Sequence, residues 1–386
     1  MIFTLNSLEI SEMKPVKRKI LLSPGPTTTT DTVKYAQIVP DICPREKEFC
    51  DLSQSICHKL NNVVNGGNNF VPIIFGCSGT GAVEAALTSV VPEHGKVLIH
   101  INGAYGMRMY DIAKCYFKPE QILLYKQNYG NYPDLEKFKA LFTKYSEITH
   151  LAFVHNETTT GMLNPASEIL ELAHQHGIQV ILDAISSYAG IPIDLQQEPY
   201  DYLIASSNKC IQGMAGVGFV IANRKSLSTT ASIPVRNYYF NLWKQHDFFD
   251  KTEQMRFTSP VQVFYALNQA LDEFFEETQK GRYDRYCASW EALIKGLDLL
   301  NLQPLLPLKW HSKIITAIKE PTFPNYNFNQ MHDYLYEQGF TIYPGKIANI
   351  NNFRIANIGA ITKEDIKELI TKLERYFHRL YSYDKK

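Results

Sequence analysis

The stretch Gln179-Val180-Ile181-Leu182-Asp183-Ala184 is an apolar run that ends in a carboxylate, and Tyr202-Leu203-Ile204-Ala205-Ser206 repeats the design before Ser207-Asn208-Lys209. Runs of five or six residues, apolar throughout rather than at alternate positions, are what strands buried on both faces require. Working outward, Val97–Ile101, Gln121–Lys126, His150–His155 and Val217–Ile221 read the same way, and a further apolar run covers Val71–Phe75. Between them, Thr80–Val91, Met107–Tyr116, Asp134–Tyr145 and Ser167–His176 space their apolar residues at three and four, the helical period. Strand and helix in alternation predict an α/β region from about 76 to 223 built on a mostly parallel sheet covered on both faces. Pro133-Asp134 supplies a helix start, and Gly177 a left-handed stop. Pro24-Gly25-Pro26 followed by Thr27-Thr28-Thr29-Thr30 reads as a rigid turn leading into an N-cap.

After Ser259 the grammar changes. Helices are expected over Val261–Glu277 and Tyr283–Leu300, then a strand over Lys313–Lys319, a helix over Phe328–Gln338, strands over Thr341–Tyr343 and Asn352–Ile358, and a closing helix over Lys363–Tyr381. These describe a smaller α+β unit.

Composition narrows the function. The chain has 386 residues, 45% of them hydrophobic and 20% charged, which excludes a disordered or collagen-like chain and provides for a large core. Lys+Arg and Asp+Glu are equal at 39, so no global field gathers nucleic acid or anionic lipid. Any anion has to be caught locally. No stretch reaches the 18 or so apolar residues of a membrane span. The seven scattered cysteines suit a reducing compartment and a cytoplasmic protein. Cys43, Cys50 and Cys57 stand seven apart, too far for zinc-ligand spacing, and read as small buried residues; His174 and His176 point apart on a helix and read as solvated helix-end side chains. No metal is expected.

Three features could carry chemistry. Gly76-Cys77-Ser78-Gly79-Thr80-Gly81 opens a helix, where free N–H groups and the positive dipole end attract an anion. Its order fits neither the dinucleotide fingerprint nor the triphosphate loop. Asp183 closes a central strand, where open α/β sheets gather ligands, and a carboxylate there calls for a cation. Lys209 leaves the next strand before Gly213-Met214-Ala215-Gly216-Val217-Gly218, a setting in which an amine can be desolvated and made nucleophilic. Taken singly, a glycine-rich turn, a capping Asp and a surface Lys would each suffice. Together they are the three fixings of pyridoxal phosphate: cradle for the phosphate, carboxylate for the ring nitrogen, lysine for the aldehyde. Tyr105, on the glycine-flanked stretch Asn102-Gly103-Ala104-Tyr105-Gly106-Met107-Arg108, offers a stacking aromatic.

The chain resembles the class V branch of the fold-type I aminotransferases. The residues that carry the likeness are Leu22-Ser23-Pro24-Gly25-Pro26, Ser78-Gly79-Thr80 with Val83-Glu84-Ala85, Asn102–Gly106, Glu157-Thr158-Thr159-Thr160-Gly161-Met162-Leu163-Asn164-Pro165, Asp183-Ala184 with Ser186-Ser187, Asn208–Gly213, Arg256-Phe257-Thr258-Ser259-Pro260, Tyr343-Pro344-Gly345-Lys346 and Phe353–Gly359. The resemblance implies a large cofactor-binding domain over 21–260 with a mostly parallel seven-stranded sheet between helices, after an N-terminal segment 1–20, and a smaller C-terminal domain over 261–386. It implies pyridoxal phosphate as cofactor, Lys209 as the Schiff-base lysine, Asp183 on the ring nitrogen, Tyr105 on the ring, and Ser78, Gly79 and Thr80 around the phosphate. Thr158 falls near the cofactor's hydroxyl side, Thr258 on a phosphate ligand given to the neighbouring subunit of a homodimer, and Arg354 on the substrate anion.

The activity implied is transfer of an amino group between 2-aminoethylphosphonate and pyruvate, both small molecules, with no nucleic-acid or membrane partner. One arginine serves both halves because its planar fork grips a phosphonate or a carboxylate. Arg45, in Asp41–Phe49 where the chain departs from the family pattern, reads either as a second positive group at the substrate or as a helix-surface partner of Glu48, and that departure leaves the direction of the reaction open. Another class V activity, of the alanine:glyoxylate or serine type, and a nucleotide-binding regulator using both glycine turns are the alternatives.

Overall fold

The structure, a computed structural model, describes residues 14–322, 325–345, 347 and 350–383. The opening segment to residue 13 and Lys346 of the Tyr343–Lys346 motif lie outside the described residues.

The centre is a seven-stranded sheet ordered Phe70–Phe75, Gly218–Asn223, Tyr202–Ser206, Gln179–Asp183, Ile148–Val154, Lys96–Ile101, Ile122–Lys126. Every pairing is parallel except the two made by Gly218–Asn223, which runs against both neighbours. Two reversals cancel, so Phe70–Phe75 points the same way as the parallel strands. The strand ends at Phe75, Ile101, Asp183 and Ser206, and the start of the return strand at Gly218, therefore share one edge of the sheet.

The apolar runs divide by alternation. Ile74, Leu98, Leu151, Phe153, Val180, Leu182, Leu203 and Phe219 face one core. Ile73, Phe75, Val97, Ile99, Ala152, Ile181, Ile204 and Val220 face the other. Each strand residue thus buries against a helical layer on its own side, worth about 1.5–3 kcal/mol for a large aliphatic side chain.

Helices begin and end close to where capping chemistry puts them. Asp134 caps Leu135–Lys144 by accepting from Glu136 N at 3.0 Å, Thr30 caps Asp31–Tyr35 by accepting from Val33 N at 3.3 Å, and Gly177 turns at φ +69°. Beyond the sheet, Val261–Glu277 packs into the first core, while Gln279–Leu299, Phe328–Glu337 and Lys363–Tyr383 surround a third core with the strands Ile315–Lys319 and Asn352–Ala356. Ile20 and Leu22 belong to that third core, since Ile20–Leu21 pairs in parallel with Phe340–Thr341.

Four expectations are corrected. The segment read as one strand, Thr341–Tyr343, is divided at Ile342: Phe340–Thr341 pairs with Ile20–Leu21, and Tyr343–Pro344 pairs with Phe353–Arg354. The helix expected from Met107 starts at Ala104, and the strand expected from Lys313 starts at Ile315 because Lys313 sits at φ +61°. Cys43 is exposed and precedes the helix Lys47–Val63 that carries Cys50 and Cys57, so the three do not share a buried face. His174 and His176 are exposed as expected, the first paired with Asp201 at 3.1 Å.

Candidate active site

The shared sheet edge opens into a cavity of about 460 Å³ lined by residues that include Ser78, Gly79, Thr80, Tyr105, Asp183 and Lys209. Five sequence segments between Gly25 and Gly216 therefore deliver their side chains to one place.

Lys209 stands three residues past the end of its strand. Its Nζ donates to Pro24 O at 2.5 Å, and a Cβ at Gly25 would overlap the amine, so glycine at φ +136° is the residue that lets the turn approach. Burial lowers the amine's pKa, and the Tyr105 and Asp183 charges work in the opposite direction. The chain after it is pinned from behind. Buried Arg282 donates from Nη1 to Cys210 O at 3.0 Å and Ile211 O at 3.3 Å, and Glu277 accepts from Nε of both Arg282 and Arg285 at 2.6 Å.

Asp183 is buried with one described side-chain hydrogen bond, accepted by Oδ1 from Ile185 N at 2.9 Å. Burial raises its pKa to about 6. A carboxylate held in this way waits for a cationic donor.

Ser78 N-caps the helix Gly79–Val90 in extended geometry without a side-chain cap bond, so the start of a helix with its positive dipole end lines the cavity. Thr80 Oγ1 accepts from Arg108 Nη1 at 3.2 Å. A Cβ on Gly79 would come within 2.9 Å of Ile185, so the turn has no room for a larger residue.

Tyr105 lies in the first turn of Ala104–Tyr116 and lines the cavity, with the Arg108 guanidinium 4.8 Å from its ring centroid. That helix is capped from far away. Glu157, fully buried with its pKa raised by burial, accepts from Tyr105 N at 3.2 Å and Gly106 N at 3.4 Å, and a Cβ at Gly103 would overlap its carboxylate.

Arg354 is 0% exposed on the strand Asn352–Ala356. Nε donates to Pro344 O at 3.1 Å and Nη1 to Thr158 O at 3.2 Å, while Nη2 is buried without a well-formed hydrogen bond among the described residues, with the Tyr105 side chain beside the guanidinium. Thr158 Oγ1 is buried and unpaired. Both are orphan groups of the kind a bound anion or hydroxyl satisfies.

Four expected site residues are not part of the cavity lining: Thr158 and Arg354, which are buried and bonded to each other, and Thr258 and Arg45. Thr258 is exposed on the segment before Val261–Glu277. Arg45 donates to Met255 O, to Arg256 O at 3.0 Å and to Gln254 Oε1 at 3.2 Å, and Glu48 is not its partner. Conversely, Arg108, Met109 and Ile185 line the cavity and were not singled out from the sequence. The signal was there: 105, 108 and 109 share one helical face, and Ile185 follows Asp183 by two.

The profile of the family Aminotransferase class-V matches residues 34–353. This chain belongs to the class V aminotransferases. It is 36% identical over 366 residues to a 2-aminoethylphosphonate–pyruvate transaminase of Pseudomonas fluorescens, covering 95% of this chain and 98% of the relative. A protein of that name from Klebsiella pneumoniae is 39% identical over 360 residues, 92% of this chain and 96% of its own. Among solved structures, an alanine–glyoxylate aminotransferase from Nostoc superposes with a TM-score of 0.86 at 22% identity, covering 97% of this chain and 99% of that one. The aminotransferase takes pyridoxal phosphate, and the residues fit it: an uncapped helix start for a phosphate, an unpaired buried carboxylate for a ring nitrogen, and an enclosed amine for an aldehyde.

Proposed function

We propose that this aminotransferase moves an amino group between 2-aminoethylphosphonate and pyruvate, with phosphonoacetaldehyde and L-alanine as the other pair, in a two-stroke cycle. Support comes from the shared name of the relatives and from one observation in particular, the enclosed Arg354 whose Nη2 lacks a well-formed hydrogen bond. A guanidinium anchored by Pro344 O and Thr158 O keeps the whole of Nη2 in reserve, and the phosphonate of one substrate and the carboxylate of the other can use it in turn.

Pyridoxal phosphate, when bound, supplies the electron sink and the carbon that holds the amino group between strokes. Asp183 would hold the proton on the ring nitrogen, which is what makes the sink effective. Lys209 would hold the aldehyde and serve as the base for the substrate carbon's proton, and its lowered pKa favours the neutral amine that a base requires. Ser78, Gly79 and Thr80 would hold the phosphate, with Tyr105 on the ring and Thr158 Oγ1 on its hydroxyl side.

The working unit we propose is a homodimer in which Thr258 reaches the neighbour's cradle. Its exposure supports this, as does the aromatic surface next to it, where Tyr238 is 77% exposed and lies 5.9 Å from Phe257. The division into 21–260 and 261–386 is proposed on the change of pattern after Ser259, with Val261–Glu277 as the linking helix that packs into the first core and Leu22 reaching into the third. None of the described helices is long and apolar enough to cross a membrane, and the seven cysteines are unpaired, which supports a cytoplasmic location.

The test is alanine formation from 2-aminoethylphosphonate and pyruvate by purified holoenzyme, measured beside alanine–glyoxylate and serine–pyruvate pairs. Faster turnover of either competing pair refutes the substrate assignment. Mixed dimers of Lys209→Ala and Thr258→Ala subunits test the shared site, since one of the two sites is then rebuilt whole.

A further inference from the structure

The cavity holds more cationic capacity than the cofactor fixings account for. Its lining contains two cations, Lys209 and Arg108, and one carboxylate, Asp183. Lys209 is committed to Pro24 O and the aldehyde. Arg108 carries five N–H donors, and among the described residues one hydrogen bond engages them, from Nη1 to Thr80 Oγ1. The guanidinium is half-buried, with its central carbon 4.8 Å from the Tyr105 ring centroid and Nη1 on Thr80 Oγ1, so its remaining donors lie beside the cradle.

The charge balance points the same way. A phosphate monoester carries about −1.5 to −2 near neutral pH. The start of the Gly79–Val90 helix offers the equivalent of about +0.5. Asp183 answers the ring nitrogen and contributes nothing to the other end. About one to one and a half units of negative charge are left over, and the cation in contact with the cradle is Arg108.

We infer that Arg108 is a direct ligand of the cofactor's phosphate, completing the cradle of Ser78, Gly79 and Thr80 from the neighbouring helix. This rests on the reading of the cavity as a pyridoxal phosphate site. Because Arg108 shares a helical face with Tyr105, the same turn of helix would grip the phosphate and cover the ring, so cofactor seating and ring orientation are set by one rigid element. That element is capped by Glu157 from the segment that also holds Arg354.

The experiment titrates apoenzyme with pyridoxal phosphate and, separately, with pyridoxal, which has the same ring and aldehyde without the phosphate, following the visible absorbance of the lysine-bound form. Arg108→Gln should weaken pyridoxal phosphate about 10- to 100-fold, the range of a charge-assisted hydrogen bond, and change pyridoxal less than about twofold. Inorganic phosphate should raise the melting temperature of wild-type apoenzyme and have no such effect on Arg108→Gln. Arg108→Lys keeps the charge and loses the fork, so an intermediate loss for pyridoxal phosphate is expected and serves if Arg108→Gln does not fold. Equal weakening of both aldehydes, or none for pyridoxal phosphate, overturns the assignment. So does a variant that binds both normally and loses only affinity for 2-aminoethylphosphonate. Failure of the cofactor reading looks different, for then the wild type develops no absorbance with either aldehyde.

Discussion

Lys209 and Arg354 are both cations taken out of water, yet the structure holds them in opposite ways. Lys209 has one hydrogen bond to one carbonyl, on a turn next to flexible glycines, and burial pushes its pKa down. Arg354 is clamped through Nε and Nη1 by two carbonyls from different segments and is 0% exposed. A lysine can shed its proton and swing on four methylenes; a guanidinium does neither. The difference teaches that a buried positive charge becomes a base or a fixed anchor according to how many bonds hold it. The first is built to move and the second to stay charged.

The largest effect should come from removing the mobile cation. Lys209→Ala should lose the visible absorbance of lysine-bound cofactor and at least about 10⁴-fold in turnover, read by spectrophotometry and alanine formation; retention of both would end the assignment. Next is the fixed cation. Arg354→Lys keeps the charge but cannot keep both carbonyls and the reserve donor, so kcat/KM for 2-aminoethylphosphonate should fall about 100-fold while the cofactor spectrum stays unchanged. An Arg354→Lys enzyme that works at full rate would erase the contrast.

Asp183 sharpens the comparison from the negative side. Its folded pKa, about 6, lies above the ordinary carboxylate value, so the empty fold holds the proton more tightly than the unfolded chain does. Stability from this group is present at pH 4 and lost as pH rises through about 6, amounting to about 3 kcal/mol, as two units or so of shift imply. Apoenzyme Asp183→Asn should therefore melt higher than wild-type apoenzyme at pH 7.5, and the gap should close by pH 4.5. Bound cofactor should remove the advantage. The smallest effect is expected at Arg45, whose bonds go to the 254–256 segment. Arg45→Gln should cost about 1–2 kcal/mol of stability in denaturant melts and leave KM for both substrates within about twofold.

The sequence disclosed the strands because residues buried on both faces must be apolar throughout, and it disclosed the cradle, Asp183 and Lys209 because each sits at a strand exit or a helix start. What it hid depends on distant partners. The start of Ala104–Tyr116 read as a glycine-flanked loop since its cap, Glu157, lies 52 residues on from Tyr105. Ile342 divides a strand because its two sides pair with Ile20–Leu21 and with Phe353–Arg354, neither of them local. The helix Leu242–Thr252 mixes charged and apolar positions and went unread, while Lys47–Val63 showed only as a helix surface near Glu48. The arrest of Arg45 on the 254–256 carbonyls could not be foreseen from Glu48 standing three residues away.

The pairing of Ile20–Leu21 with Phe340–Thr341 bears on how the enzyme is made. The turn that presents Pro24 O to Lys209 is tethered by a strand whose ladder partner among the described residues leaves the ribosome some 320 residues later. On a growing chain the sheet can assemble through Asn223 while its reactive amine still lacks this latch. Completing this strand pairing beside the catalytic lysine therefore waits for the tail of the chain.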